Sequence, residues 1–155
     1  MADLDHDHFM GLALDEAQAS HDAGNLAVGS VIVLDGEVVG RGRNWTATHK
    51  DPLSHAEVDA IRDACKRLGR ASLAGATLYS VAESCPMCLW AIHESGIDRL
   101  VLGARHMALG ITRFGDYTVE SMIDFTKSNL QLLTGVREAE CVAMRGKPGG
   151  YLIER

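Results

Sequence analysis

No stretch of this chain is apolar over the roughly 20 residues needed to cross a bilayer, so a helical membrane span is not expected. A basic leader is missing as well. The first residues, MADLDHDHF, are acidic, which argues against a secretory signal and makes a cytoplasmic protein the expectation. Basic side chains are outnumbered, 15 Lys and Arg against 21 Asp and Glu, and they are scattered. Affinity for nucleic acid comes from neutralising phosphates, so a net charge of −6 argues against a large polyanionic partner. Cysteine occurs four times, at 65, 85, 88 and 141. In a cytoplasmic chain these read as thiols or metal ligands rather than disulfides. Repeats and low-complexity linkers are absent, and 155 residues suit one core, so a single domain over 1–155 is expected.

The pattern of apolar residues outlines the elements. Residues 4–23 alternate apolar and charged positions at helical spacing and stop near Gly24. Two β-branched runs flank Asp35-Gly36, a pair suited to a two-residue hairpin turn, and 44–53 reads as a polar loop. A helix is expected over 54–68, capped by Ser54 or Asp51 and ended by Gly69. GATLYSVA (75–82) and DRLVLGA (98–104) read as strands joined by a short helix to Glu94, an arrangement that implies parallel neighbours. Beyond them lie an irregular stretch at 105–117, a helix over 118–126, a fifth strand at 130–135 and a helix from Val136 to Met144. The fold class is α/β: a mixed sheet of about five strands between helical layers.

Chemistry concentrates in SHAEVDAI (54–61) and SCPMC (84–88). Cys85 and Cys88 are three apart, about 300° around a helix, so their sulfurs share a side, and Pro86 suits the first turn. The positive end of a helix favours thiolates, and two thiolates with an imidazole suit zinc. His55 is the plausible third donor. Cys65 and Cys141 stand alone in apolar helical stretches and read as core residues, while His49 reads as a solvated loop residue. His6 and His8 diverge on a helix and read as a solvated helix start. A structural zinc takes four protein donors, whereas three donors leave a position for water, whose pKa zinc lowers from about 15.7 towards about 7. Glu57 lies about 200° from His55 on an ideal helix, yet from the first turn it can reach such a water as a proton carrier.

His-x-Glu followed by Cys-x-x-Cys is the pattern of zinc-dependent base deaminases. With the VGSVIVLDGEVVGRGRN hairpin, DPLSHAEVDAIRDAC and GATLYSVAESCPMC, the chain resembles the cytidine deaminase-like superfamily. The matching branch holds guanine deaminases, fungal-type cytosine deaminases and bacterial tRNA adenosine deaminases. That resemblance implies one Zn2+ held by His55, Cys85 and Cys88, with Glu57 as the proton shuttle. It also implies that Asn44 hydrogen-bonds the base; Ala56 and Glu83, beside the ligands, are taken with it as substrate contacts. Phe114 matches an aromatic that stacks on substrate, and Asp116, Tyr151 and Glu154 are weaker candidates for the pocket. Two positions depart from the family: Ser84 stands where a proline precedes the first cysteine, and Trp90 replaces a glycine, to narrow the pocket or to pack in the core or an interface.

The expected reaction is hydrolytic deamination of a free nucleobase or analogue, cytosine-like, guanine or amino-triazine, with release of ammonia. The charge balance argues against tRNA as substrate, and Trp90, as a bulky pocket residue, favours a single ring among the small candidates. Deamination of a tRNA adenosine (A34-type) or of a nucleoside is the alternative, and a non-catalytic zinc module a remote one. By resemblance the protein is expected to form a homodimer near the Cys-x-x-Cys helix.

Overall fold

A computed structural model describes residues 3–149, so Tyr151 and Glu154 lie outside the described residues. The first helix, α1 (His6–Asp22), opens with Asp5 accepting from the His8 amide. Strands β1 (Gly29–Leu34) and β2 (Glu37–Arg43) pair antiparallel around Asp35-Gly36. Both turn residues have positive φ, 51° and 78°, which matches the twist of the strands and confirms the expected hairpin. The 44–53 loop contains one short turn, α2 (Thr46–His49), whose Ala47 and Thr48 amides donate to the buried Asn25 side chain. Next come α3 (Ala56–Leu68), β3 (Thr77–Ala82), α4 (Pro86–Glu94) and β4 (Arg99–Ala104). The described chain ends with α5 (Val119–Thr126), the short β5 (Gln131–Leu133) and α6 (Glu138–Arg145).

The five strands lie in the order β2-β1-β3-β4-β5. The pairs β1–β2 and β1–β3 are antiparallel, and β3–β4 and β4–β5 are parallel, so the sheet is mixed as expected. Every residue of β3 is buried, because helices cover both faces of the sheet centre. On one face α1 and α6 enclose Phe9, Met10, Val31, Tyr79, Val101 and Cys141. On the other, α3, α4 and α5 enclose Ile32, Ala60, Leu78, Leu89, Ile92 and Leu100. Cys141 is fully buried and Cys65 packs at the edge of the second cluster, both in keeping with core roles.

Close approach sets where α3 sits. Gly40 and Gly42 of β2 lie under it, and a Cβ on Gly42 would collide with the Ala56 carbonyl and the Ala60 backbone. The helix answers with small residues, Ala56, Ala60 and Ala64, all buried on that side. Gly42→Ala is therefore expected to cost about 1–3 kcal/mol by overpacking. Thermal unfolding should show this as a melting temperature lower by about 2–12 °C; an unchanged melt would mean that α3 has room to move.

Candidate active site

Two helices end on the same spot. His55 is the N-cap of α3 and Cys85 the N-cap of α4, both in extended backbone (φ −79°, ψ 158° and φ −68°, ψ 168°), and neither side chain caps its own helix. The expectation that Ser54 or Asp51 caps α3 is thus corrected. Ser54 is buried and Asp51 accepts from the Leu53 amide, while His55 itself makes the turn into the helix. Its imidazole is freed to face the cysteines, with Nδ1 3.5 Å from Cys85 Sγ and 3.4 Å from Cys88 Sγ. All three donor atoms lie within 4.8 Å of one another, forming a group able to hold a metal ion. Zinc bonds of roughly 2.0–2.1 Å to nitrogen and 2.3 Å to sulfur at tetrahedral angles put N and S about 3.6 Å apart, so this donor set fits zinc.

Electrostatics agree. α3 and α4 both start at this donor group, and the positive charge of a helix start favours thiolate. The hydrogen bond from Cys88, aided by His55, pulls the Cys85 thiol down to about 4. Cys88 is pushed up by its hydrogen bond to Cys85, and burial adds to the rise. Two sulfurs sharing one proton are a pair in which a divalent cation readily takes the proton's place. His55 is raised, chiefly by its hydrogen bond with Cys85.

Glu57 is 4% exposed, in the first turn of α3. Because His55 is a cap residue rather than a helical one, the angular separation of an ideal helix does not apply, and both side chains line one cleft. The Ser80 hydroxyl is 3.4 Å from Glu57 Oε1 but only 2.8 Å from the Ala82 carbonyl, and its single hydrogen goes to the nearer acceptor. Burial, and then the charge of Cys85, raise the Glu57 carboxyl above its ordinary value. A rise in this direction favours the protonated form and suits the carboxyl to passing a proton on.

The cleft encloses about 310 Å³, at the small end of ligand sites. Asn44, Ala56, Glu83 and Phe114 all line it. Asn44 Oδ1 accepts from the Thr46 amide and hydroxyl at 3.0 and 2.9 Å, which leaves the amide nitrogen to be offered to a ligand. Glu83 differs, because both its oxygens are engaged. They accept from Arg105, the His106 amide and the Val119 amide. Burial alone would raise this carboxyl, and those donors hold it below its ordinary value. Glu83 therefore ties the loop after β4 to the sheet. Phe114 lies with its ring centre 5.0 Å from that of His106.

Two expected residues are elsewhere. Asp116 is exposed and does not line the cleft. Trp90 is 46% exposed on α4, tilted against His93, so it cannot narrow the cleft, and the preference for a single-ring substrate drawn from it falls. Several lining residues carried no sequence signal, among them Leu26, His106, Ile111, Arg113 and Arg145. They come from three separate segments, and only folding brings them together.

Residues 4–104 match the family described as the cytidine and deoxycytidylate deaminase zinc-binding region. The chain belongs to that family. It is a zinc-dependent hydrolytic deaminase of the cytidine deaminase-like fold. The tRNA-specific adenosine deaminase of Bacillus subtilis (strain 168) is 35% identical over 88% of this chain and 83% of its own. The guanine deaminase of the same strain is 38% identical over 78% of each chain. A solved structure from a study of A-to-I editing by tRNA:A34 deaminases superposes with a TM-score of 0.77 at 37% identity, covering 88% of this chain and 98% of that one.

These relatives correct two expectations. tRNA-specific adenosine deaminases recur among them, which overturns the free nucleobase as substrate and the improbability of a nucleic-acid partner. The physical reason is that net charge sums the whole surface, whereas a nucleic acid meets only the part near the cleft. Among the described residues no helix is long and apolar enough to cross a membrane.

Proposed function

We propose that this deaminase acts on an adenosine in tRNA, of the A34 type, converting it to inosine. The observation that carries this reading is the similarity to a tRNA-specific adenosine deaminase across 88% of the chain, joined to a cleft with unpaired arginines in its wall. His55, Cys85 and Cys88 would hold the zinc, which when bound supplies an activated water and stabilises developing charge. Glu57 passes one proton from the attacking water to the ring nitrogen beside the reacting carbon, and then a second, from the hydroxyl now on that carbon, to the departing amine. The carbon–amine bond is exchanged for a carbonyl, and ammonia leaves. The Asn44 amide nitrogen donates to an acceptor on the ring edge, while Phe114 and the apolar wall exclude bulk water.

We assign these steps to one catalytic unit spanning the chain, in a homodimer with exposed Trp90 at the contact and a cytoplasmic location. Incubation with tRNA bearing adenosine at the wobble position should yield inosine there, read as guanosine after reverse transcription. Free adenine, guanine, cytosine and amino-triazines should release no ammonia. Ammonia from a free base alongside unaltered tRNA would sink the reading.

A further inference from the structure

Several arginines in this protein are neutralised by carboxylates. Arg41 and Arg43 face Glu16, Arg67 faces Asp63, Arg105 faces Glu83 and Glu120, and Arg137 faces Glu140. Two that line the cleft are not so neutralised. Arg113, in the loop after β4, and Arg145, the last residue of α6, make no ion pair or hydrogen bond with any described residue. Arg145 is half-buried, so solvent screens it only in part. Arg113 lies with its guanidinium carbon 4.6 Å from the centre of the Phe114 ring, which holds the group over the aromatic face.

The pair is unfavourable as it stands. Burial, followed by the charge of Arg113, lowers the Arg145 guanidinium below its ordinary value. Two like charges in one cleft wall, one of them partly desolvated, gain most from a ligand that is anionic and offers several acceptors. A phosphate does so, because its oxygens match the forked donors of guanidinium groups. Glu57 and Cys85 line the same cleft, where the base reacts.

We infer that Arg113 and Arg145 form an anion subsite that takes a backbone phosphate of the substrate nucleotide. The cleft then recognises base and phosphate together, and a free base or nucleoside satisfies only half of it. The inference rests on the reading of the protein as an RNA deaminase.

The test uses zinc-loaded protein carrying Glu57→Gln, so that RNA is bound without being consumed, and an anticodon stem-loop with the reactive adenosine. Binding is measured across a range of salt concentrations. For single-stranded contacts each phosphate neutralised contributes about 0.7 to the slope of log K against log salt. Adding Arg113→Gln and Arg145→Gln together should lower the slope by about 0.7, one phosphate's share, and weaken binding about 10- to 100-fold. Lysine at both positions should restore most of the slope but less of the affinity, because a point charge lacks the fork. Zinc content and melting temperature report whether each variant is folded. Should the stem-loop bind with unaltered slope and affinity after the Gln changes, the subsite is refuted and the RNA reading stands. Should the stem-loop not bind the parent protein at all, the RNA reading fails, and inorganic phosphate then decides the subsite. A phosphorus NMR titration in which the parent broadens the phosphate signal and the Gln variant does not would uphold it; equal behaviour would overturn it.

Discussion

Glu57→Gln is expected to lower turnover by about 10²–10⁴-fold while leaving one zinc per subunit. Gln keeps the size and shape of Glu but can neither accept nor return a proton. The carboxyl is buried in the first turn of α3, beside the donor set but outside it. Its neutral amide replacement removes a charge that burial already disfavours, so the fold should tolerate the change. Inosine formation in tRNA and metal analysis on the same preparation provide the check. Turnover within tenfold of the parent would show that another group moves the proton, and loss of zinc would show that Glu57 helps to hold the ion.

Cys88→Ala should abolish both zinc binding and deamination. Cys88 is fully buried at the start of α4, and with it gone only His55 and Cys85 converge. Two donors give neither the charge nor the geometry that zinc takes from three. Zinc that binds only the folded chain stabilises it by about 4 kcal/mol when present at a thousandfold excess over its dissociation constant. The parent protein should therefore melt at a higher temperature when zinc is added after chelation, and recover activity. The Cys88→Ala protein should do neither. Full activity in this variant would remove the three-donor site from the account.

The sites differ in how far they were legible along the chain. His55, Glu57, Cys85 and Cys88 lie in two short segments, and the chemistry of those residue types narrows their role strongly. Their placement on helix ends was legible too, although the cap of α3 was assigned to Ser54 or Asp51 because those residues are the usual caps. His55 takes the position because its side chain is used by the cysteines rather than by its own helix. Trp90 was misjudged for a related reason: its position beside Cys88 in sequence says nothing of which side of α4 it occupies. Net charge misled about the partner, since a sum over 155 residues hides two unpaired arginines in one wall.

By itself, the order of residues determined the hairpin at Asp35-Gly36, the strand and helix sequence, and the metal-binding set with its carboxylate. Each of these depends on residues within one turn, one periodic segment or one motif, where local sterics and donor chemistry act. Only the tertiary structure decided that Glu83 braces a loop, that Asp116 stands outside the cleft, and that Arg113 and Arg145 both line it. Those outcomes follow from burial and charge between segments far apart in the chain, brought together by the packing of helices on both faces of the sheet.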